Sequence, residues 1–236
     1  MALCKLCGED KDLRRSHIFS ELYYKMMYDE KHRFFEISTD KKHRTNFKQK
    51  GLREVLLCDD CEQKFGNYEH YVSTMFNNLG TGELVDRILT LKGINYKLLK
   101  LHQLSILWRI LVSSLDSFKH INFNAIESEI KEMLINEDPG KYNDYGCFLS
   151  LLIDNNKLLS DLITSPEVIS LGKEKYIRFV LSGYMWICSI KKNEKFVFNP
   201  FFVNEDSILR LKFDNARKSK YLKKIADDLN NSGKLK

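Results

Sequence analysis

Two C-x2-C pairs constrain this chain more than any other feature of its sequence. They are Cys4–Cys7 and Cys58–Cys61, and Gly8 follows the first pair directly. Each pair forms a tight turn that points two sulfur atoms at one ion, and two turns complete the tetrahedral coordination that zinc prefers. Glycine suits such a turn because it adopts a positive φ without strain. Four unrelated cysteines or a disulfide pair are the alternatives. The matched spacing favours a structural Zn²⁺ site with all four cysteines as ligands.

Composition and hydropathy indicate a protein without membrane contact. The chain has 236 residues, 43% of them hydrophobic, which is enough to bury a substantial core. Its first residues lack the basic and apolar segments of an export signal. The longest apolar stretch, residues 176–190, carries Arg178 and is shorter than the roughly 20 apolar residues that a membrane helix needs. We therefore expect a cytoplasmic protein, in which paired cysteines are metal ligands rather than disulfides.

The positive charge is concentrated at one end of the chain. The net charge is +6, and residues 209–236 contain nine Lys or Arg and three Asp, whereas residues 1–208 carry 29 basic and 29 acidic groups. Such a tail, with Lys218 and Lys220 near its middle, can contact the phosphates of nucleic acid through non-specific electrostatics. A solvated terminal helix would show the same pattern, so charge alone leaves both interpretations open.

The residue patterns predict an α+β protein in two parts, with the boundary at Gly80–Gly82. In residues 1–80 we expect a short helix over 18–28, a strand at 33–37, an exposed basic loop at 41–49 and a helix from Glu62. In residues 81–236 we expect mixed helices and antiparallel strands. Those helices are an amphipathic one over 98–117, one over 125–135 and a terminal one over 214–229, and those strands are 176–180, 184–190 and 195–198. Cys147, Cys188, Trp108 and Trp186 read as core residues.

His17 lies between the two cysteine pairs, in the polar context Arg14–Arg15–Ser16. Imidazole titrates near neutral pH, so a histidine here can act as a general base toward a water that attacks a phosphodiester. It can equally be a zinc ligand or a structural histidine. The spacing alone does not decide between these roles.

The order of these features resembles the HNH endonuclease superfamily. A C-x2-C pair is followed by His17–Ile18 and then by Leu57–Cys58-x2-Cys61 at the start of a helix, over about residues 1–77. The resemblance implies a small zinc-bound ββα, or treble-clef-like, module that hydrolyses DNA or RNA. It further implies a role in phage defence or mobile elements and a partner protein or subunit for the second part.

The resemblance also assigns roles to particular positions. His17 matches the general base of the family. The metal-binding residue that commonly precedes the base is Ser16 here, the usual asparagine is Arg53, and the usual last histidine is Glu62. Of these positions only that of the base keeps the family's residue, so a catalytic Mg²⁺ or Mn²⁺ would depend on replacements.

Two replacements are available on the second helix. Glu62 can substitute for histidine as a ligand of a hard cation, and Glu69, two helical turns later, can supply a further carboxylate. The alternative is that both only form the solvated edge of this helix. Arg53 cannot bind a metal, but with Arg14 and Arg15 it could hold backbone phosphates.

These observations leave two hypotheses. The first is a metal-dependent nuclease in which His17, Glu62 and Glu69 are catalytic and Cys4, Cys7, Cys58 and Cys61 hold structural zinc. The second is a non-catalytic zinc module that binds nucleic acid or a partner protein. A nuclease needs His17 and a carboxylate within reach of one water molecule, whereas a binding module does not.

Overall fold

Short strands and one long helix make up the first 80 residues. The structure, a computed structural model, describes residues 2–38, 45–192 and 198–234. In chain order the elements are β1 (Ala2–Leu3), β2 (Asp10–Lys11), β3 (Leu13–His17), α1 (Glu21–Tyr24), β4 (Phe34–Glu36), β5 (Asn46–Lys48), β6 (Arg53–Cys58) and α2 (Asp59–Asn77). Strands β1 and β2, β3 and β6, and β4 and β5 form three antiparallel pairs.

Three helices and a large sheet form the remainder of the chain. The elements are β7 (Glu83–Val85), β8 (Ile88–Leu91), α3 (Tyr96–Val112), α4 (Asn124–Ile135), β9 (Cys147–Asp154), β10 (Lys157–Leu158), β11 (Glu167–Leu171), β12 (Glu174–Leu181), β13 (Tyr184–Ser189), β14 (Leu209–Asn215) and α5 (Lys220–Asn231). The predicted α+β class is confirmed. Among the described residues no helix has the length and apolar character needed to cross a membrane.

The sheet has eight strands, seven of them in the order β11-β12-β13-β9-β14-β8-β7, with β10 paired to the end of β9. Its pairs are antiparallel except for β9 and β14, which run parallel at the centre. The predicted strands at 176–180 and 184–190 are confirmed as β12 and β13. Their turn is Ser182–Gly183, and both residues have positive φ, which is typical of a two-residue hairpin turn.

Other predicted elements differ from the structure or lie partly outside its described residues. The helix over 18–28 is only the short α1 followed by a 3₁₀ turn at Lys25–Met27. The basic loop over 41–49 lies partly outside the described residues, and its end is strand β5. The strand over 195–198 lies almost wholly outside them, and Phe198 itself is in a turn.

The predicted terminal helix over 214–229 is wrong at its start. Residues up to Asn215 belong to β14, which lies between β8 and β9 in the sheet, and α5 begins only at Lys220 after a 3₁₀ turn. Strand β14 is hard to recognise in the sequence because Arg210 and Lys212 make the segment look polar. The buried Leu209 and Leu211 nevertheless alternate with those charges, which is the pattern of a strand.

Helix α3 is buried on all sides rather than along one stripe. Every residue from Leu99 to Ile110 is buried, including several polar residues: Lys100, His102, Gln103, Ser105 and Arg109. The helix contacts α2 through Trp108 and Phe65 and approaches β13 through His102 and Trp186. It is the central element of the core.

One hydrophobic core spans both predicted parts of the chain. Its buried residues run from Cys4 and Leu6 near the first cysteine pair to Leu209 and Leu211 in β14. The division at residue 80 therefore remains a prediction, since the first 80 residues and the remainder share their interior. Trp108 and Trp186 are fully buried, as predicted for core residues.

The buried histidine of α3 makes stability depend on pH. Burial lowers the pKa of His102 to about 3, and its Nε2 lies 2.9 Å from the hydroxyl of Tyr23. The unfolded chain protonates this histidine near pH 6.5, whereas the folded chain keeps it neutral, so the unfolded state binds more protons below that pH. We expect the free energy of unfolding to fall as pH drops from 6.5 to 5, with a slope from this group that approaches about 1.4 kcal/mol per pH unit.

Urea unfolding at pH 7, 6 and 5 tests this expectation. His102→Gln should reduce the dependence of the unfolding free energy on pH by up to one bound proton, which is about 1.4 kcal/mol per pH unit. This holds whatever the substitution does to the stability at a single pH. His70→Gln, on the exposed face of α2, should leave the slope unchanged. His17, whose pKa is also lowered by burial, contributes in the same direction, so the slope in His102→Gln should shrink without vanishing. An unaltered slope would contradict the assignment.

Candidate metal centre and histidine site

The four paired cysteines meet in one cluster. The sulfur atoms of Cys4, Cys7, Cys58 and Cys61 all lie within 4.8 Å of one another. Those of Cys7 and Cys58 are 3.9 Å apart, close to the separation of about 3.8 Å that tetrahedral geometry gives for zinc–sulfur bonds of about 2.3 Å. None of the cysteines forms a disulfide. The cluster can bind a metal such as zinc, as the spacing predicts.

Backbone hydrogen bonds hold the first pair in its turn. The N–H of Gly8 donates to the carbonyl of Cys4, and the N–H of Cys4 donates to the carbonyl of Glu9, both at 2.9 Å. Gly8 has a φ of +77°, the left-handed conformation in which a side chain would cause strain. The N–H of Lys5 donates to the carbonyl of Leu56, which fastens this turn to β6 just before the second pair.

The cluster favours a thiolate at Cys4. Burial opposes its ionisation, but backbone N–H groups, with that of Cys58 as the strongest, lower the pKa of Cys4 to about 7. Burial and the neighbouring thiols raise the pKa of Cys61. A thiolate is the form that binds metal, so Cys4 is the ligand best prepared for the first bond to an ion.

Strands β3 and β6 carry the histidine and the cysteines on one ribbon. His17 pairs with Arg53 at one end and Leu13 pairs with Cys58 at the other, with a bulge after Arg14. Ser16 is buried, and its hydroxyl accepts the N–H of Leu57 at 3.2 Å. The hydroxyl at the family's metal-binding position therefore completes the strand pairing.

His17 contacts a cation and an anion through the same ring nitrogen. Arg53 Nε donates to His17 Nε2 at 2.8 Å, and Glu21 Oε2 lies 2.7 Å from that atom. Burial and the Arg53 charge lower the pKa of His17, so the ring is neutral at pH 7. A hydrogen bond from Arg53 requires a lone pair on Nε2, whereas a hydrogen bond to Glu21 requires a proton there. The two partners therefore favour opposite tautomers of the ring.

Glu21 is the residue of this site that the sequence analysis missed. It lies in the first turn of α1, four residues after His17, and its other oxygen accepts the hydroxyl proton of Tyr28 at 2.6 Å. Glu21 Oε2 is buried and lacks a hydrogen bond. The signal that could have revealed it is the Ser20–Glu21 helix start directly after His17–Phe19, because such a helix folds its first turn back toward the strand that precedes it.

Glu69 belongs to the same network through Arg109. The Arg109 side chain is 2% exposed; it donates to the carbonyl of His17 at 2.8 Å and to Glu69 Oε1 at 3.0 Å. Although burial disfavours its charge, the adjacent Arg109 lowers the pKa of Glu69, which stays ionised. Glu69 thus lies near His17 but is committed to a buried ion pair.

Glu62 and Glu69 do not gather with His17 into a second metal site. The two glutamates are seven residues apart on α2, about 10 Å along the helix axis, and Glu62 Oε1 is buried without a hydrogen bond. Across residues 2–38, 45–192 and 198–234, the cysteine cluster is the only group of three or more Cys, His, Asp or Glu side chains close enough to bind one ion. The described residues give no support for the Mg²⁺ or Mn²⁺ site that the family resemblance implies, and that site stays a prediction.

The predicted phosphate-binding residues are dispersed. Arg14 pairs with Asp59 through both Nε and Nη2, each at 2.5 Å, whereas Arg15 is exposed on the same strand. Lys218 and Lys220 are exposed at the start of the C-terminal helix. Only Arg53 contacts His17. Their binding of nucleic acid stays a prediction.

Removing one cysteine should release the metal. We expect purified protein to contain about one zinc per chain and Cys58→Ser to lose it, because three thiolates no longer close the tetrahedral site. Cys188→Ser, which removes an equally buried cysteine outside the cluster, is the matched control and should keep its zinc. The measurement is the zinc content per chain of wild type, Cys58→Ser and Cys188→Ser. Undiminished zinc in Cys58→Ser would contradict the assignment of the four cysteines as zinc ligands.

Loss of Arg109 should destabilise the fold strongly. Arg109→Met removes the cation that pairs with Glu69, whose side chain is only 24% exposed, and the donor to the His17 carbonyl, so we expect a loss of about 3 kcal/mol in urea unfolding. Arg109→Met combined with Glu69→Leu should recover part of that loss. Arg14→Met breaks an exposed pair and should change stability little. A small effect of Arg109→Met alone would show that water reaches Glu69.

Comparison with known proteins supplies no relative for this site. No protein-family model matches the chain, and neither does any curated protein or solved structure.

Proposed function

We propose that this chain is a zinc-braced nuclease with a divergent HNH-like site, in which His17 is the general base that hydrolyses a phosphodiester of DNA or RNA. The observation that carries the proposal is the contact of neutral His17 with both Arg53 and Glu21 on the ribbon that ends in the cysteine cluster. A base, a cation for phosphate and a carboxylate to orient the base are thus adjacent.

The arrangement of β3, β6 and α2 supports a zinc-bound ββα module. The two strands are antiparallel, α2 starts directly after β6, and the cysteines lie where the ribbon meets the helix. Zinc would be held by Cys4, Cys7, Cys58 and Cys61 and would supply structural bracing only. It would fix the ribbon, and through it the position of His17, without taking part in the reaction.

Substrate binding can set the tautomer of His17. In the free protein Arg53 donates to Nε2, so the ring proton is on Nδ1. A phosphate that attracts the Arg53 guanidinium removes this donor and leaves Nε2 beside Glu21. Exchange with solvent then places the proton on Nε2, where it donates to Glu21, and leaves a lone pair on Nδ1.

The chemical step follows from that tautomer. Nδ1 takes a proton from a water molecule as its oxygen attacks phosphorus, and Glu21 stabilises the resulting imidazolium. The bond from phosphorus to the leaving oxygen breaks, and that oxygen takes up a proton from solvent. Arg53 offsets the charge that develops on the phosphate oxygens. We assign no step to Glu62, Glu69 or a second metal, since the described residues do not assemble that site.

The second candidate is a zinc module that binds nucleic acid or a partner protein without cutting. The ion pair of Glu69 with the buried Arg109 favours it, because a carboxylate engaged in this way is not free to bind a catalytic ion. In that case the contact of Arg53 and Glu21 with His17 is structural. A role in phage defence would be compatible with either candidate.

Cleavage assays with His17→Ala distinguish the candidates. Supercoiled plasmid and a structured RNA are incubated with purified protein, with and without Mg²⁺ or Mn²⁺. We expect wild-type protein to cut and His17→Ala to lose about 100-fold or more of the rate with its zinc content intact. His70→Ala, exposed on α2, should cut normally. Equal cleavage by wild type and His17→Ala would overturn the proposal, and no cleavage by either would favour the binding module.

Glu21 provides a second test through the pH profile. Its charge raises the pKa of His17 against the opposing effects of burial and Arg53, so Glu21→Gln should lower the pKa of the base. The acid limb of the cleavage profile, where the base loses its function by protonation, should then move to lower pH while the maximal rate falls. Glu21→Asp should restore part of both. An acid limb that stays in place would exclude Glu21 as the partner of the base.

A further inference from the structure

We propose that the outer face of the β4–β5 hairpin is a stacking platform for unpaired bases of a single-stranded nucleic acid, formed by Phe35, Phe47 and Arg33. This inference deepens the proposed function and rests on it, since it names the kind of nucleic acid that the same site engages.

The hairpin has an inner and an outer face because side chains alternate along a strand. On the inner face Phe34 packs on Tyr24 and Tyr28, with ring centroids 5.3 and 6.0 Å apart. This aromatic contact anchors the hairpin on α1 and the 3₁₀ turn that follows it. The outer face is therefore held in a fixed orientation toward solvent.

Two phenylalanines occupy that outer face. Phe35 and Phe47 lie directly opposite each other in the antiparallel pair, with ring centroids 5.1 Å apart, and are 51% and 55% exposed. The guanidinium of Arg33 lies 4.3 Å from the centre of the Phe47 ring. Together they form a patch of flat groups, and bases stack readily on aromatic rings and on guanidinium planes.

The stability of the hairpin does not require two exposed phenylalanines. A cross-strand aromatic pair does contribute to hairpin stability, but Phe34 already anchors this hairpin, and one exposed phenylalanine would meet the need for β propensity. Large exposed side chains that form a patch mark binding surfaces more often than isolated ones do. We therefore interpret the exposed phenylalanine pair as a ligand-binding surface.

The charge of the surrounding sequence selects nucleic acid over an apolar protein partner. Residues 33–50 contain six Lys or Arg and two acidic residues. Within the described part, Lys48 and Lys50 accompany Arg33, whereas Asp29 and Glu36 partly offset them through ion pairs. An aromatic patch in a basic segment is the combination by which single strands are bound, with bases on the rings and phosphates near the cations.

The hairpin also connects to the histidine site. Tyr28, which packs on Phe34, donates its hydroxyl proton to Glu21, and Glu21 contacts His17. The hairpin that carries the platform is thus linked to the histidine site by the contacts of its inner face. Unpaired bases are required because the faces of paired bases are covered by their neighbours in a duplex.

Binding to oligonucleotides tests the platform without any cleavage. The probe is a fluorescein-labelled oligothymidylate of about 20 nucleotides, compared with a blunt duplex of equal length, in low-salt buffer without added divalent cation. We expect Phe35→Leu combined with Phe47→Leu to raise the Kd for the single strand about 5- to 100-fold and to leave duplex binding unchanged. Phe35→Tyr combined with Phe47→Tyr should bind like wild type.

A fluorescent variant reports the contact directly. Trp108 and Trp186 are fully buried, so in Phe47→Trp only the introduced side chain is open to a ligand, and its emission should be quenched when the oligothymidylate binds. Leu84→Ala combined with Val85→Ala removes two equally exposed apolar side chains from the β7–β8 hairpin and is the matched control. It should retain wild-type affinity.

The outcomes separate the platform from the nuclease. Wild-type affinity in the double Leu variant, an equal loss on the duplex, or no binding of the single strand by wild type would each overturn the platform. If the double Leu variant keeps wild-type affinity for the single strand, the aromatic rings are not needed for nucleic acid, and the face would suit an apolar protein partner instead. A chain that binds the single strand through the phenylalanines but never cuts would refute only the nuclease. A chain that cuts and ignores the phenylalanine changes would refute only the platform.

Discussion

The guanidinium of Arg109 is the contact on which the candidate site depends. It is buried in the last turn of α3 and joins three segments that are distant in sequence, by donating to the His17 carbonyl, to Glu69 and to the carbonyl of Ser105. Burial of a charge is unfavourable unless it is paired and hydrogen-bonded, and this arginine is both. Its fork geometry also fixes directions, so the end of β3 cannot move independently of α2 and α3. The position of His17 is thus determined largely by residues outside the first 80.

Strand β6 transmits a second constraint to the same place. It begins at Arg53, which contacts His17, and ends at Cys58, so its six residues link the histidine to the cysteine cluster over roughly 17 Å. Because a strand pair has one register, fixing Cys58 beside Cys4 and Cys7 also fixes which residue faces His17. The cysteine cluster at one end and a buried arginine at the other fix the ribbon between two parts of the molecule. In the proposed reaction, a base restrained in this way would lose little entropy when it aligns with a water molecule and a phosphate.

Local patterns in the sequence predict the features that local physics determines. The cysteine spacing predicts the cluster, alternation predicts β12 and β13, and helical periodicity predicts α3 and α4. The features that the sequence does not predict depend on contacts between residues that are distant in the chain. The polar residues of α3 look like an exposed face, but His102 and Arg109 are buried against polar partners from α1, β3 and α2. Glu21 and Glu69 acquire their roles only when the chain turns back on itself, and no single-residue preference signals that. No strand is predicted at β14, because charged residues alternate with its two buried leucines, and the predicted terminal helix overlaps its last two residues.

The central position of β14 has a consequence for how the molecule assembles. Its neighbours are β8, more than a hundred residues earlier, and β9, about sixty residues earlier, so the two halves of the sheet are joined through this late strand. Without β14 in place, β8 and β9 would each present an open edge of unpaired backbone groups, which is the surface through which sheets join edge to edge between chains. Contacts of such long separation also form slowly. Placement of β14 therefore completes the sheet. A chain in which β14 is not in place would expose two sheet edges that can associate with other chains.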